Sequence, residues 1–194
     1  MEVIDVAIFA FEHRKRAADW EDDMRSGLRV IAARAGGLTR FMNAYARLSR
    51  LPQPVLTPTS IRALIERVAR FEIRMPVEII GGPEVSAQVD AAQIEQVLIN
   101  LIISAVDAAR ENHGAVRVRW QQTPGTLEIE VEDDGPGIAS FSDLFVPFFT
   151  TKGNGSGIGL VLCRQIAENH GGSITLANRT DGNTGCVARL RLPG

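Results

Sequence analysis

This 194-residue chain has few cysteines, little excess charge and no long apolar run. Cys163 and Cys186 are its only cysteines and lie in segments typical of a helix and a strand, so we expect no disulfide framework and no cysteine metal site, and a reducing cytosol is favoured. A formal net charge of −2 is not the basic excess that follows phosphates, so no nucleic-acid partner is expected. With 45% hydrophobic and 23% charged residues, the composition is that of a soluble globular domain with an appendage.

The N-terminus holds one short apolar run, from Val3 to Phe11, which Asp5 interrupts. This run is too short to span a bilayer, and it lacks the basic start and small-residue cleavage site of a signal peptide. We therefore expect no membrane segment in this chain. The expected location is the cytoplasm, which includes the cytoplasmic part of a membrane-anchored sensor.

A long helix is predicted between Met24 and Leu48, where apolar residues recur at alternating steps of four and three. These seam residues are Met24, Leu28, Ile31, Ala35, Leu38, Met42, Tyr45 and Leu48. The spacing is that of a coiled coil or a four-helix bundle, and it continues through Gly36 and Gly37. Pro52 ends the helix. An apolar seam of this length must be buried against another chain or against a segment outside this sequence.

After the prolines the pattern becomes a mixture of amphipathic helices and short strands. The predicted helices are 60–71, 90–112 and 156–169, and the predicted strands are 77–80, 87–89, 115–121, 126–133, 173–178 and 186–192. Helices segregated against one mixed sheet predict an α+β fold, a two-layer α/β sandwich.

Asp133 is predicted to be a buried carboxylate. In the strand 127–134 alternate side chains point to opposite faces, and Asp133 shares the apolar face with Ile129 and Val131. The acidic residues on the other face, Glu128, Glu130, Glu132 and Asp134, are predicted to point to water. A buried carboxylate needs a partner. That partner is either a donor on a ligand or the turn at Gly135, which a strand-end Asp can cap.

Two glycine-rich turns follow this strand: Asp133-Asp134-Gly135-Pro136-Gly137-Ile138, and Gly155-Ser156-Gly157-Ile158-Gly159-Leu160 at the start of a helix. Glycines allow a backbone to approach a ligand, and a helix N-terminus attracts phosphate. Neither turn is a Walker A loop or a dinucleotide fingerprint. A third feature is a polar stripe on the otherwise apolar helix 90–112, formed by Gln93, Gln96, Asn100, Ser104, Asp107 and Glu111. This polar stripe either lines a polar cavity or faces the solvent.

Together these segments resemble histidine kinases. The run 96–105 resembles their N box, 133–138 their G1 box, 144–152 their F box and 155–160 their G2 box. The N box and the F-box run favour histidine kinases, of the nitrogen-regulation type, over the gyrase, mismatch-repair and chaperone ATPases of the same superfamily. The resemblance implies a GHKL (Bergerat) fold over roughly 55–193. It divides the chain into an unassigned segment at 1–23, a dimerisation helix at 24–52 and an ATP-binding catalytic domain at 53–194.

The resemblance also implies roles for single residues. Asp133 would accept the adenine amino group, and Lys152 would reach the terminal phosphates unless it is a solvated loop lysine. Asn100 would coordinate Mg²⁺ and, with Lys152, serve catalysis. The remaining residues implied to bind ATP are Ser104, Asp107, Gly135, Gly137, Ile138, Gly155, Ser156, Gly157, Ile158, Gly159 and Leu160.

By the same resemblance, the expected activity is transfer of the γ-phosphoryl group of ATP to a histidine, for relay to an aspartate of a cognate response regulator. A homodimer through 24–48 is expected. Two departures stand out: Ser104 replaces a second asparagine, and no His-Glu-x-x-x-Pro-like box is found, since the sequence around His13 lacks the Glu and Pro. We therefore expect a chain that does not phosphorylate itself.

Two other functions remain open. A degenerate ATP-fold module would bind nucleotide weakly and serve dimerisation or regulator docking. An anti-sigma-type serine kinase shares the fold, but the heptad helix ahead of the domain argues against it.

Overall fold

The computed structural model of the chain describes residues 20–49, 51–147, 149–150 and 157–194, and it divides into two compact units between Ser49 and Arg50. The described part of the first unit is one helix, α1 (Trp20–Ser49), which begins with three acidic residues that suit the helix dipole. It continues through Gly36 and Gly37, as the heptad spacing predicts. The seam residues Leu28 and Ile31 are 57% and 48% exposed.

The described part of the second unit contains ten elements. In chain order they are β1 (Thr57–Ser60), α2 (Ile61–Phe71), β2 (Val77–Gly81), β3 (Ser86–Val89), α3 (Ala91–Glu111), β4 (Val116–Thr123), β5 (Thr126–Asp133), α4 (Gly159–Asn169), β6 (Ser173–Asn178) and β7 (Cys186–Pro193). The main sheet has the order β2-β4-β5-β7-β6, and only β2 and β4 run parallel. β1 and β3 form a separate antiparallel pair. With α2, α3 and α4 packed against the sheet, the predicted two-layer sandwich is confirmed.

The central helix α3 begins after Asp90, whose side chain accepts a hydrogen bond from the backbone N–H of Gln93 at 3.1 Å. Ile94, Leu98 and Ile102 are fully buried, because α3 packs between α2 and α4 as well as on the sheet. Within the described segments, α3 is also the one helix long and apolar enough to cross a membrane by length and composition. Its buried position in the sandwich accounts for that composition.

The outer face of the sheet differs from the prediction. Glu130 of β5 is only 8% exposed, although the alternation of the strand places it on the face predicted to meet water. The register explains this burial, since Glu130 lies opposite Arg119 of β4 and Arg189 of β7. Both arginines donate to its carboxylate, Arg189 Nε at 2.5 Å. The long arginine side chains therefore cover the carboxylate that the sequence alone assigns to solvent.

Candidate functional site

Asn100 lies where α3 meets the first turns of α4. Its Nδ2 donates to the carbonyl oxygen of Gly159 at 3.5 Å and faces the Sγ of Cys163 at 3.7 Å. Its Oδ1 accepts one long hydrogen bond, from Gln96 Nε2 at 3.4 Å. The amide nitrogen is therefore directed at α4, while the oxygen is directed along the polar stripe of α3.

The polar stripe continues to Ser104 and Asp107, which are half-buried. Asp107 Oδ1 accepts a hydrogen bond from Arg74 Nη1 at 2.6 Å, and Arg74 Nη2 also binds Glu72 at 2.6 Å. The hydrogen bond from Arg74 holds the pKa of Glu72 below its usual range. The sequence did not predict Arg74 as a neighbour of the polar stripe, because no local pattern indicates that the partner of Asp107 lies 33 residues away.

Asp133 is 6% exposed at the end of β5, which confirms its predicted burial. Its Oδ1 accepts hydrogen bonds from the backbone N–H of Gly135 at 2.9 Å and of Cys186 at 3.3 Å. The turn-capping contact anticipated from the sequence is thus present. These two donors leave the carboxylate in one orientation at the start of the turn 134–138.

The glycines of this turn meet close neighbours. A Cβ on Gly135 would lie 2.7 Å from the Cβ of Ala108 on α3, and Gly137 has a φ of +82°, a left-handed conformation that favours glycine. Ile138 is held at the far end, where its N–H donates to Asn178 Oδ1 at 2.6 Å. The turn therefore packs closely on α3 and is tied to the end of β6.

Asp134 anchors the near end of the same turn. Its carboxylate accepts hydrogen bonds from the backbone N–H of Ala115 at 3.0 Å, from Arg117 Nη1 at 2.9 Å and from Arg179. The hydrogen bond from Arg117 is the main reason that the pKa of Asp134 lies below its usual range. Asp134, predicted to point to water, is instead half-buried, because Arg117 and Arg179 bind its carboxylate.

The second glycine run is described from Gly157 onward. Gly157 has a φ of +66°, Ile158 is buried, and α4 begins at Gly159, later than the predicted start at 156. Ile158 lacks the side-chain oxygen that caps a helix, so it makes no side-chain cap bond. Leu160 is half-buried in the first turn of α4. The predicted phosphate-binding residues Lys152, Gly155 and Ser156 lie outside the described residues.

Part of the F-box run also reaches α4. The guanidinium of Arg164 stacks 3.6 Å from the ring centroid of Phe145. The described residues of the F box, of the second glycine run and of the N box therefore meet at α4. Among the described residues, no group of three or more His, Cys, Asp or Glu could hold a metal ion. A magnesium ion at Asn100 would take most of its ligands from nucleotide phosphates and water, as Mg²⁺ commonly does.

Comparison with known proteins agrees with this geometry. Residues 89–194 match the family model described as histidine kinase-, DNA gyrase B- and HSP90-like ATPase. The C4-dicarboxylate transport sensor protein DctB of Rhizobium meliloti is 30% identical over 187 residues, which cover 91% of this chain and 30% of that protein. The nitrogen regulation protein NtrY of Azorhizobium caulinodans is 28% identical, over 84% of this chain and 23% of that protein. The chain thus spans less than a third of these relatives.

Solved structures share the fold. The catalytic domain of histidine kinase ThkA is 32% identical, with a TM-score of 0.62, over 71% of this chain and 95% of that domain. ThkA in complex with the response regulator protein TrrA is 25% identical, with a TM-score of 0.66, over 99% of this chain and 57% of that one.

Proposed function

Since the chain belongs to the family of histidine kinase-, DNA gyrase B- and HSP90-like ATPases, and its relatives are sensor proteins of the histidine kinase type, we propose that it binds ATP and supplies the γ-phosphoryl group to a histidine. The observation that carries this proposal is the setting of Asp133. A buried carboxylate, oriented by two backbone N–H groups, stands next to a turn in which Gly135 has no room for a side chain.

In this proposal Asp133 accepts the amino group of adenine, and the glycine turn brings the backbone close to the base. Gly135, Gly137 and Ile138 form the wall of the base pocket, and Asp107 and Ser104 lie further along the same side of α3. The first turn of α4, from Gly159 and Leu160, directs unpaired N–H groups at the phosphates. Lys152, with Gly155, Ser156, Gly157 and Ile158, closes the phosphate end.

Phosphoryl transfer requires mainly that the protein position the reacting groups and stabilise the charge on the phosphates. Mg²⁺, when bound with the nucleotide, neutralises part of that charge. Asn100 is the residue that would hold it, because among the described residues its amide oxygen accepts a single long hydrogen bond, from Gln96. The opposite end of the amide is fixed by Gly159 and Cys163 of α4. Asn100 would therefore couple the metal to the helix that follows the phosphate-binding loop.

We further propose that two chains associate through 24–48 and that the phosphoryl group passes to a response regulator. The exposed apolar residues Leu28 and Ile31 of α1 support association. The complex of ThkA with TrrA supports a regulator as partner. In this proposal the chain works in the cytoplasm, 24–52 is the dimerisation helix and 53–194 the catalytic domain.

No phosphoacceptor is assigned in the described residues. His13 lies outside them, and His113 and His170 end helices. We therefore propose that the acceptor histidine is supplied from outside this sequence. A degenerate module that binds nucleotide weakly is the second candidate, and the replacement of an asparagine by Ser104 is the observation that favours it.

The test is a two-step assay. Calorimetric titration with ATP and GTP, at zero and at millimolar Mg²⁺, should show binding that prefers adenine. Radiolabelled ATP should then label an added histidine-bearing dimerisation segment of a sensor histidine kinase, as an acid-labile, base-stable phosphoamidate. Weak binding of ATP without any transfer would favour the binding module. Absence of adenine-nucleotide binding would refute both candidates.

A further inference from the structure

We propose that Asn178 is the positioning residue of the base pocket and thereby sets its selectivity for adenine. Its side chain makes two hydrogen bonds with the backbone of one residue in the glycine turn. Asn178 Oδ1 accepts from the N–H of Ile138 at 2.6 Å, and Asn178 Nδ2 donates to the carbonyl oxygen of Ile138 at 3.0 Å. A side-chain amide offers a donor and an acceptor side by side in this way.

The register of the sheet places this side chain and the base-reading carboxylate in one frame. Asn178 of β6 lies opposite Cys186 of β7, and Cys186 lies opposite Asp133 of β5. The backbone N–H of Cys186 also donates to Asp133 Oδ1 at 3.3 Å. Asp133, Cys186 and Asn178 therefore lie side by side on three neighbouring strands. Cys186 orients the carboxylate of Asp133, and Asn178 holds the turn that follows it.

The neighbour of Asn178 holds the opposite end of the same turn. Arg179 donates to the carboxylate of Asp134, and its Nη1 lies 3.2 Å from Glu132. Its backbone N–H donates to the carbonyl oxygen of Gly185 at 3.1 Å. Two consecutive residues, Asn178 and Arg179, thus bind the two ends of the turn 134–138.

The close approach also explains Gly137. A Cβ there would lie 3.0 Å from Asn178 Oδ1, in addition to its left-handed φ of +82°. With both ends bound, the turn is ordered before a ligand arrives, so binding loses less conformational freedom. The distance between Asp133 and the backbone of the turn is then set in advance. A purine of another hydrogen-bonding pattern meets a pocket that does not adjust to it.

This inference rests on the proposed function, and its test compares Asn178→Ala with the wild type and with Asn183→Ala. Asn183 is a suitable control because it donates hydrogen bonds to Asp181, within the same exposed loop. ADP and GDP are the probes, titrated by calorimetry, and thermal unfolding is recorded for every variant. We expect Asn178→Ala to weaken ADP about five- to tenfold and to reduce the ADP-to-GDP affinity ratio, as the loss of two solvent-accessible hydrogen bonds implies.

Asn178→Asp is the second variant. It keeps an acceptor for the N–H of Ile138 but places a carboxylate oxygen against the carbonyl of Ile138, so we expect ADP affinity between those of the wild type and Asn178→Ala. A melting temperature that falls in Asn178→Ala while ADP affinity and the ADP-to-GDP ratio stay unchanged would overturn the inference alone. A wild type that binds no adenine nucleotide would overturn the proposed function and this inference with it.

Discussion

The imidazole of His170 joins the end of α4 to the start of α3: its Nε2 accepts a hydrogen bond from the backbone N–H of Asp90 at 3.1 Å. An acceptor at Nε2 requires the proton on Nδ1, which donates to the carbonyl oxygen of Ile166 at 2.8 Å. His170 is buried. The C-terminal end of α4, the helix that follows the second glycine run, is therefore connected to the start of α3, the helix that carries Asn100.

From this contact we expect His170→Ala to destabilise the domain by about 1–3 kcal/mol, because the N–H of Asp90 loses its acceptor in a buried setting. Urea unfolding followed by circular dichroism measures the change. His113→Asn is the control, since His113 is exposed and its φ of 52° suits asparagine. Equal unfolding midpoints for both variants would show that the contact contributes nothing.

Asp133→Asn should weaken ATP binding by about 1–3 kcal/mol, because an amide N–H₂ then faces the amino group of adenine. The amide oxygen can still accept from Gly135 and Cys186, so the fold should be kept. The same variant should gain affinity for a 6-oxopurine nucleotide, whose oxygen is an acceptor. Calorimetry with ATP and ITP measures both changes, and an unchanged ATP affinity contradicts the assignment of Asp133.

Ser104→Asn tests whether the departure in the N box affects Mg²⁺. A hydroxyl is shorter than an amide and carries less charge on its oxygen, and Mg²⁺ gives up water reluctantly. We expect ATP to bind the wild type with little help from Mg²⁺ and Ser104→Asn to enlarge the metal-dependent part. ATP titrations at zero and millimolar Mg²⁺ measure this. A large Mg²⁺ enhancement in the wild type, unaltered by the substitution, removes the main support for the binding module.

Association through α1 is tested by introducing one charge into its seam. Ile31→Glu should convert a dimer to monomers, because a buried carboxylate in an apolar interface lacks a partner. Val30→Glu makes the same change at a residue that is 41% exposed and lies outside the apolar seam, so it should leave the dimer intact. Multi-angle light scattering distinguishes the two. A wild type that is monomeric at micromolar concentration would mean that α1 does not associate by itself.

Acid should destabilise the sheet through Glu130. Burial raises the pKa of Glu130, but the hydrogen bonds from Arg119 and Arg189 outweigh it and hold the pKa below its usual range. When the pKa of a carboxyl group is lower in the folded than in the unfolded protein, the charged group stabilises the fold at pH values above the unfolded pKa of about 4.3. This contribution is lost as the pH falls through the folded pKa.

We therefore expect Glu130→Gln to cost about 1 kcal/mol at pH 7 and to make the loss of stability below about pH 4 shallower. Urea midpoints from pH 7 to pH 3 measure both effects. Glu168→Gln, on the exposed side of α4, is the control and should follow the wild type at every pH. A Glu130→Gln curve parallel to the wild type would contradict the proposed role of the arginine pair.

The local features of the fold were predictable because each is encoded within one short window. Alternation in β5 predicted the burial of Asp133, and the seam of α1 predicted one continuous helix. The four boxes at 96–105, 133–138, 144–152 and 155–160 carried the resemblance to histidine kinases, since each box is a short run of neighbouring residues. The roles of Lys152 and of the other phosphate-binding residues stay predictions.

What only the tertiary structure decided are the contacts between segments far apart in the chain. The partner of Ile138 is 40 residues away, and the arginines that cover Glu130 come from two neighbouring strands. No periodicity within one segment specifies which strand lies beside another or in which register. By itself the sequence determined the burial of Asp133 and of the apolar faces of the sandwich, and the family to which the chain belongs. Strand order and register decided that Asn178 rather than another polar residue holds the turn, because those two properties place its amide opposite the backbone of Ile138.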